Sequence, residues 1–125
     1  MNKTRYLAEL SEKRVLILDG AMGTMIQGYE LREKDHTLEL SGKKIRAQGC
    51  VDCLSLTRPD VLHDIHLSYL RAGADIIETN TLGANRFSLS EYGLEEQVYD
   101  MNRAAAEIAC RAVREIEKED HGRRA

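Results

Sequence analysis

The residues best suited to chemistry stand where an apolar run ends. Val15 to Leu18 is continuously apolar and passes directly into Asp19, Gly20, Ala21, Met22 and Gly23. Glycines after a strand let main-chain amides approach an anion with no β-carbon in the way, so Gly20 and Gly23 could frame a carboxylate or a phosphate. Asp19 beside them could take an ammonium. Together they suit a zwitterion, an amino acid held by both charged ends. A tight turn capped by Asp19 accounts for the same spacing, and G-x-x-G alone does not separate the two readings. A second polar group, Glu78, Thr79, Asn80 and Thr81, closes the stretch Ala74–Thr81, whose centre is apolar. In parallel α/β architectures such strand ends carry the site.

The other chemical candidates are weaker. Cys50 and Cys53 form a C-x-x-C pair, but a zinc site needs two more ligands, and Cys110 stands far along a helix. Two ordinary thiols are the simpler reading. His63 and His66 are three apart on one helix, where packed or half-exposed imidazoles are commoner than a ligand pair. The glycines at 20, 23 and 28 do not fit the dinucleotide fingerprint, and no phosphate-loop Gly-Lys-Ser/Thr is present. A small phosphate-binding protein built on the Asp19 loop is therefore disfavoured.

These groups need elements to hold them. Asn2 to Lys13 reads as a short helix, with Leu7 and Leu10 on one side, that covers an end of the fold. Val15–Leu18 has the pattern of a strand buried on both faces, as in a parallel sheet. Gly20 to Leu56 is mostly polar and irregular, the text of a long functional loop. Thr57 and Asp60 flank Pro59 in a capping-box-like start to a helix reaching about Ala72. Its stripe is Leu62, Ile65, Tyr69 and Leu70, and Gly73 supplies the left-handed stop. The second strand, Ala74–Thr81, follows. After it, Leu94, Val98, Met101, Ala105, Ile108, Ala112 and Ile116 mark a long helix with Glu95 and Glu96 in its first turn and Arg114 and Lys118 in its last. Close helix packing explains Ala104, Ala105 and Ala106 better than a cofactor box. Strand, helix, strand, helix predicts a parallel sheet with right-handed crossovers.

Composition sets the outer bounds. The 125 residues match one ordinary domain, 42% hydrophobic and 31% charged, with a net charge of -3 that offers nucleic acid no basic field. No apolar run approaches the roughly 20 residues of a membrane span, and MNKTRYLAELSEK lacks a secretion core, so a cytoplasmic location is expected. Three cysteines without an export signal argue for reduced thiols. Two strands cannot cover their own faces, so the chain is expected to open a larger α/β domain or to complete its sheet with another chain. Only the polar EKEDHGRRA follows Ile116, and Glu115 to Asp120 is expected to be a solvated helix end.

Three blocks, LDGAMGTMIQ (18–27), LTRPDVLHDIHLSYLRAGADIIETNT (56–81) and NRAAAEIA (102–109), agree in order and spacing with one family. From about Arg14 to Ile116 the chain resembles the homocysteine-binding domain that opens cobalamin-dependent methionine synthases. The DGAMGTMIQ form is closer to these than to the betaine or S-methylmethionine enzymes that share the domain. The resemblance implies an α/β fold comprising the first two β/α units of a (β/α)8 TIM barrel, truncated, since such barrels take ~250 residues. Residues 1–13 would be a leading helix and 14–125 the partial barrel domain. It implies transfer of a methyl group, originally from 5-methyltetrahydrofolate, from methylcobalamin to homocysteine. It further implies that Asp19 meets the amino group, that the Gly20, Ala21, Met22, Gly23 backbone serves the carboxylate, and that Asn80 and Thr81 line the same mouth; Glu78 is left open.

The family's zinc, which keeps the homocysteine sulfur as a thiolate, is held by three cysteines on later strands. Cys50, Cys53 and Cys110 do not match those positions. No zinc, no cobalamin and no catalytic residue is expected in this chain alone, which should be inactive and poorly folded. Its implied partners are homocysteine, the rest of the barrel, and the folate and cobalamin domains. The competing reading is a non-catalytic amino-acid-binding or partner-completing module.

Overall fold

The computed structural model describes residues 3–119. Helix α1 (Lys3–Lys13) leads into an extended segment, then α2 (Met22–Gln27) and a 3-10 turn at Glu33–His36. Strands β1 (Thr37–Leu40) and β2 (Lys43–Arg46) form an antiparallel hairpin. Its two-residue link, Ser41 and Gly42, has φ of 50° and 77°, the left-handed pair that a twisted hairpin requires. A 3-10 turn (Val51–Cys53) and α3 (Leu54–Thr57) precede α4 (Pro59–Arg71); α5 (Arg86–Ser90), another 3-10 turn (Glu95–Gln97) and α6 (Val98–Glu119) complete the described chain. It is mostly helical, with one two-stranded sheet. No described helix is long and apolar enough to cross a membrane.

The segments expected to be parallel strands do run parallel, but they meet at one bridge, Leu18 with Ile76. Asp19 N–H donates to the Ile76 carbonyl at 2.9 Å, and the amides of Asp75 and Ile76 both reach the Ile17 carbonyl. Arg14 grips Asp75 with two guanidinium nitrogens at 2.6 and 2.8 Å, and Asp75 Oδ2 also accepts the Ile17 N–H. Burial on both faces is not found: Val15 is 84% and Ile17 56% exposed, because no described element packs over them. Helix α1 forms as expected but covers little, Leu7 being 45% exposed.

The core lies elsewhere. The stripe of α6 buries Met101, Ala105, Ile108, Ala112 and Ile116, and α4 packs along it through Leu62, Ile65 and Leu70. Leu54, Leu62 and Ile65 are fully buried in a cluster with Ile26, Val61 and Ile108, which joins α2, α3, α4 and α6. A second cluster gathers Leu38, Ala47, Cys50, Cys53, Ala84, Leu89, Leu94 and Met101. The supposed irregular loop 20–56 therefore contains two helices, a hairpin and part of two cores. Its side chains look polar because only one face of each short element is covered.

Two helix starts differ from expectation. Thr57 does not cap α4; its hydroxyl donates to the carbonyls of Asp35 and Cys53. Arg58 instead holds Asp60 bidentately at 2.8 and 2.9 Å and reaches Asp35 at 3.2 Å, so a cation bridges the acid of the first turn. Pro59 does open the helix and Gly73 leaves it with φ 107°. Glu95 and Glu96 fall in the 3-10 turn before α6, whose own first turn carries Asp100 and whose last carries Lys118 but not Arg114. The solvated end of α6 is exposed through Glu119; Asp120 and the rest of the polar tail lie outside the described residues.

Candidate functional site

One cleft of about 980 Å³ is lined by Asp19, Gly20, Ala21, Met22, Gly23, Asn80 and Thr81, the residues singled out above, together with Thr24, Val51, Asp52 and the 77–79 and Leu82 positions. Two chain segments separated by more than fifty residues converge because the Leu18–Ile76 bridge puts both apolar runs in register. Asp19 then reaches across: its Oδ2 accepts the Glu78 N–H at 3.0 Å, while its Oδ1 is buried without a hydrogen-bond partner. One carboxylate oxygen thus fixes the geometry, and the other keeps its acceptor capacity.

The two glycines of the opening motif have different reasons. A β-carbon on Gly20 would sit 3.1 Å from the Tyr69 hydroxyl oxygen and 3.2 Å from its ring, whereas one on Gly23 would meet nothing within 4 Å. Gly20 is small to admit a side chain of α4, and Gly23 leaves open space beside the cleft.

The opposite rim is tied down from behind. Asn80 Nδ2 donates to the Val51 carbonyl at 2.9 Å, and Thr79 and Thr81 share a hydroxyl hydrogen bond of 2.7 Å. Asp52 Oδ1 accepts the Gly83 N–H at 2.9 Å. Asn102 of α6 donates to the Ala84 carbonyl just beyond. Val51 and Asp52 carry no sequence signal for this role, since the segment they hold lies about thirty residues further along the chain. Glu78, left open above, lines the cleft and is exposed.

A methyl group at position 83 would lie 2.6 Å from Asp52 Oδ2. Asp52 is buried and already bonded to the Gly83 amide, so it has little room to turn away. Gly83→Ala is expected to cost about 1–3 kcal/mol of stability, the usual range for overpacking. A thermal midpoint equal to that of the unsubstituted chain would contradict this contact.

The electrostatics are one-sided. Asp19, Asp52 and Glu78 line the cleft, and among the described residues no lysine or arginine does. Behind it, His66 is fully buried on α4 with neither ring nitrogen hydrogen-bonded. Burial holds its pKa below the ordinary imidazole value; the Asp19 charge pulls it partly back and His63 pushes it further down. The unfolded chain therefore binds a proton at His66 more readily than the folded one. The stability due to neutral His66 is complete above the ordinary value near 6.5 and is lost as pH falls toward the depressed one. Melting midpoints measured from pH 7.5 to 5 should drop in the unsubstituted chain and drop less in His66→Leu; parallel curves would show that His66 is not the group involved.

Cys50 and Cys53 are buried in the 3-10 turn, the Cys53 thiol donating to the Cys50 carbonyl at 2.9 Å. The neighbouring Cys53 thiol draws Cys50 down to about 7, and the same pairing and burial push Cys53 up. Cys110 is exposed on α6, and His63 lies 3.1 Å from Glu115 while His66 is in the core. Among the described residues no three His, Cys, Asp or Glu side chains gather in a metal-holding group. The described thiols and imidazoles are too scattered to hold one zinc ion between them.

Residues 16–124 match the family model described as homocysteine S-methyltransferase, and the chain belongs to that family. It is also similar to a protein named methionine synthase from Mycobacterium leprae (strain TN), with 38% identity over 125 residues. That match covers 98% of this chain and 10% of the relative's length, so the chain spans about a tenth of it.

Proposed function

We propose that this chain supplies the homocysteine-gripping part of a methionine synthase of the cobalamin-dependent kind, in which a methyl group passes to the homocysteine sulfur. Residues 14–125 would be the opening β/α portion of a TIM barrel and 1–13 its leading helix, acting in the cytoplasm. The cleft carries the reading. An acid-lined cavity with no lysine or arginine among the described residues favours an ammonium and disfavours anions, a doubly charged phosphate most, so a substrate carboxylate must be met by main-chain N–H groups. Asp19 is the candidate for the ammonium. The Gly20, Ala21, Met22, Gly23 backbone is the candidate for the carboxylate, and Asn80 and Thr81 form the facing wall.

The sulfur end has no partner of its own among these residues. Zinc and cobalamin, which in the family ionise the thiol and carry the methyl, would be held by other parts of such an enzyme, and this chain's work is to bind and orient. A rim of this kind should bind weakly. Titrating the 125-residue chain with L-homocysteine while following backbone amide resonances should shift Gly20, Gly23, Asn80 and Thr81 at millimolar concentrations, with no competition from inorganic phosphate. Unmoved resonances at saturation would defeat the proposal. The partner-completing, stand-alone amino-acid-binding module predicts instead tight, saturable binding by a folded monomer in calorimetry. Methyl transfer by the chain alone, assayed with methylcobalamin, is expected to be absent.

A further inference from the structure

We propose that Tyr69, which does not line the cleft, is the positioning residue for its carboxylate half; this rests on the homocysteine reading above. Tyr69 stands on α4, and its hydroxyl donates to the Ala21 carbonyl at 2.8 Å, the sole side-chain hydrogen bond between α4 and the 19–23 loop among the described residues. Its ring occupies the space where Gly20 would carry a β-carbon. It is seated by the hydrophobic cluster that also holds Met22, Met25 and Ile26. One aromatic side chain therefore fixes both the path of Gly20 and the rotation of the next peptide. Because that peptide is planar and trans, drawing the Ala21 carbonyl toward α4 turns the Met22 N–H away from it.

Asp19 is held by other means, its N–H by the Ile76 carbonyl and its Oδ2 by the Glu78 amide. The two ends of the amino acid are thus oriented by separate supports. The ammonium partner depends on the strand pairing, and the main chain for the carboxylate depends on Tyr69. Loss of the hydroxyl should weaken one end and spare the other, which a general loosening of the fold would not do.

The test is Tyr69→Phe in the 125-residue chain, which keeps the ring and its packing. Without ligand, amide hydrogen exchange at Met25, Ile26 and Gln27, the helically bonded amides of the short α2 that the hydroxyl anchors, should quicken about tenfold, the effect of one lost hydrogen bond, while the α4 and α6 amides stay protected. With ligand, L-homocysteine should bind about tenfold more weakly, judged by its amide shifts, whereas 3-mercaptopropylamine, which lacks the carboxylate, should bind as before. Unchanged exchange, or equal weakening of both ligands, overturns the assignment. If the unsubstituted chain shows no homocysteine shifts at all, the binding reading falls by itself, and the ligand-free exchange still decides Tyr69. Gly20→Ala, which displaces the same ring from the other side, should reproduce the faster exchange; its failure to do so also counts against the proposal.

Discussion

Asp19→Ala is expected to erase the homocysteine-induced shifts at Gly20 and Gly23 altogether. The substitution removes the candidate ammonium partner and also the acceptor of the Glu78 N–H. Truncating one partner of a close charge pair costs 2 to 5 kcal/mol or about that, which corresponds to a loss of thirtyfold or more and is ample to abolish a millimolar interaction. Asp19→Asn separates the two roles. Its amide oxygen can still accept from Glu78, so the strand ends should remain joined and the melting midpoint should change little. Its neutral head no longer pairs with an ammonium, so binding should still vanish. If Asp19→Asn binds L-homocysteine as well as the unsubstituted chain does, the carboxylate has no charge role and the orientation assigned to the ligand is wrong.

The largest structural effect should come from Leu62→Ala. Leu62 is fully buried on α4 and belongs to the cluster that joins α2, α3, α4 and α6. Removing its three outer carbons leaves a cavity walled by short helices that cannot close in without breaking their own contacts. A cost of about 3–4 kcal/mol is expected, a large fraction of the 5–15 kcal/mol that stabilises an ordinary domain. Chemical denaturation should show the midpoint falling with an unchanged slope, and the hairpin, whose contacts lie in the other cluster, should not be lost separately. A loss under about 1 kcal/mol would mean that the α4–α6 seam is looser than its burial indicates.

How much of this was legible depends on the length and regularity of each signal. The α6 stripe was read correctly from Met101 to Ile116 because more than four turns of one-sided burial leave a pattern that a strand or loop does not mimic. Gly73 marked the end of α4 for an equally local reason. The seven candidate site residues also came together in one cleft, since Asp19 and Asn80 both follow apolar runs and strand ends converge wherever such runs pair. What failed was context. Val15 and Ile17 have strand-core composition, but burial depends on what packs over them, and no described residue does. The hairpin 37–46 escaped because Ser41–Gly42 is an unusual turn pair and its strands carry charges on their open face. Asp52 and Tyr69 were invisible as site residues because one acts on a loop thirty residues away and the other through a carbonyl, neither of which leaves a spacing rule.

The single bridge between Leu18 and Ile76 has a consequence for assembly. Joining those segments closes a span of 58 residues, at an entropic cost of about 3–4 kcal/mol that a few main-chain bonds and the Arg14–Asp75 pair must offset. Helices α4 and α6 can dock through their own sides before that closure takes place, and the rim proposed to receive the substrate would then be completed last. The region proposed to recognise the ligand would be the youngest part of the folded molecule and the first to come undone.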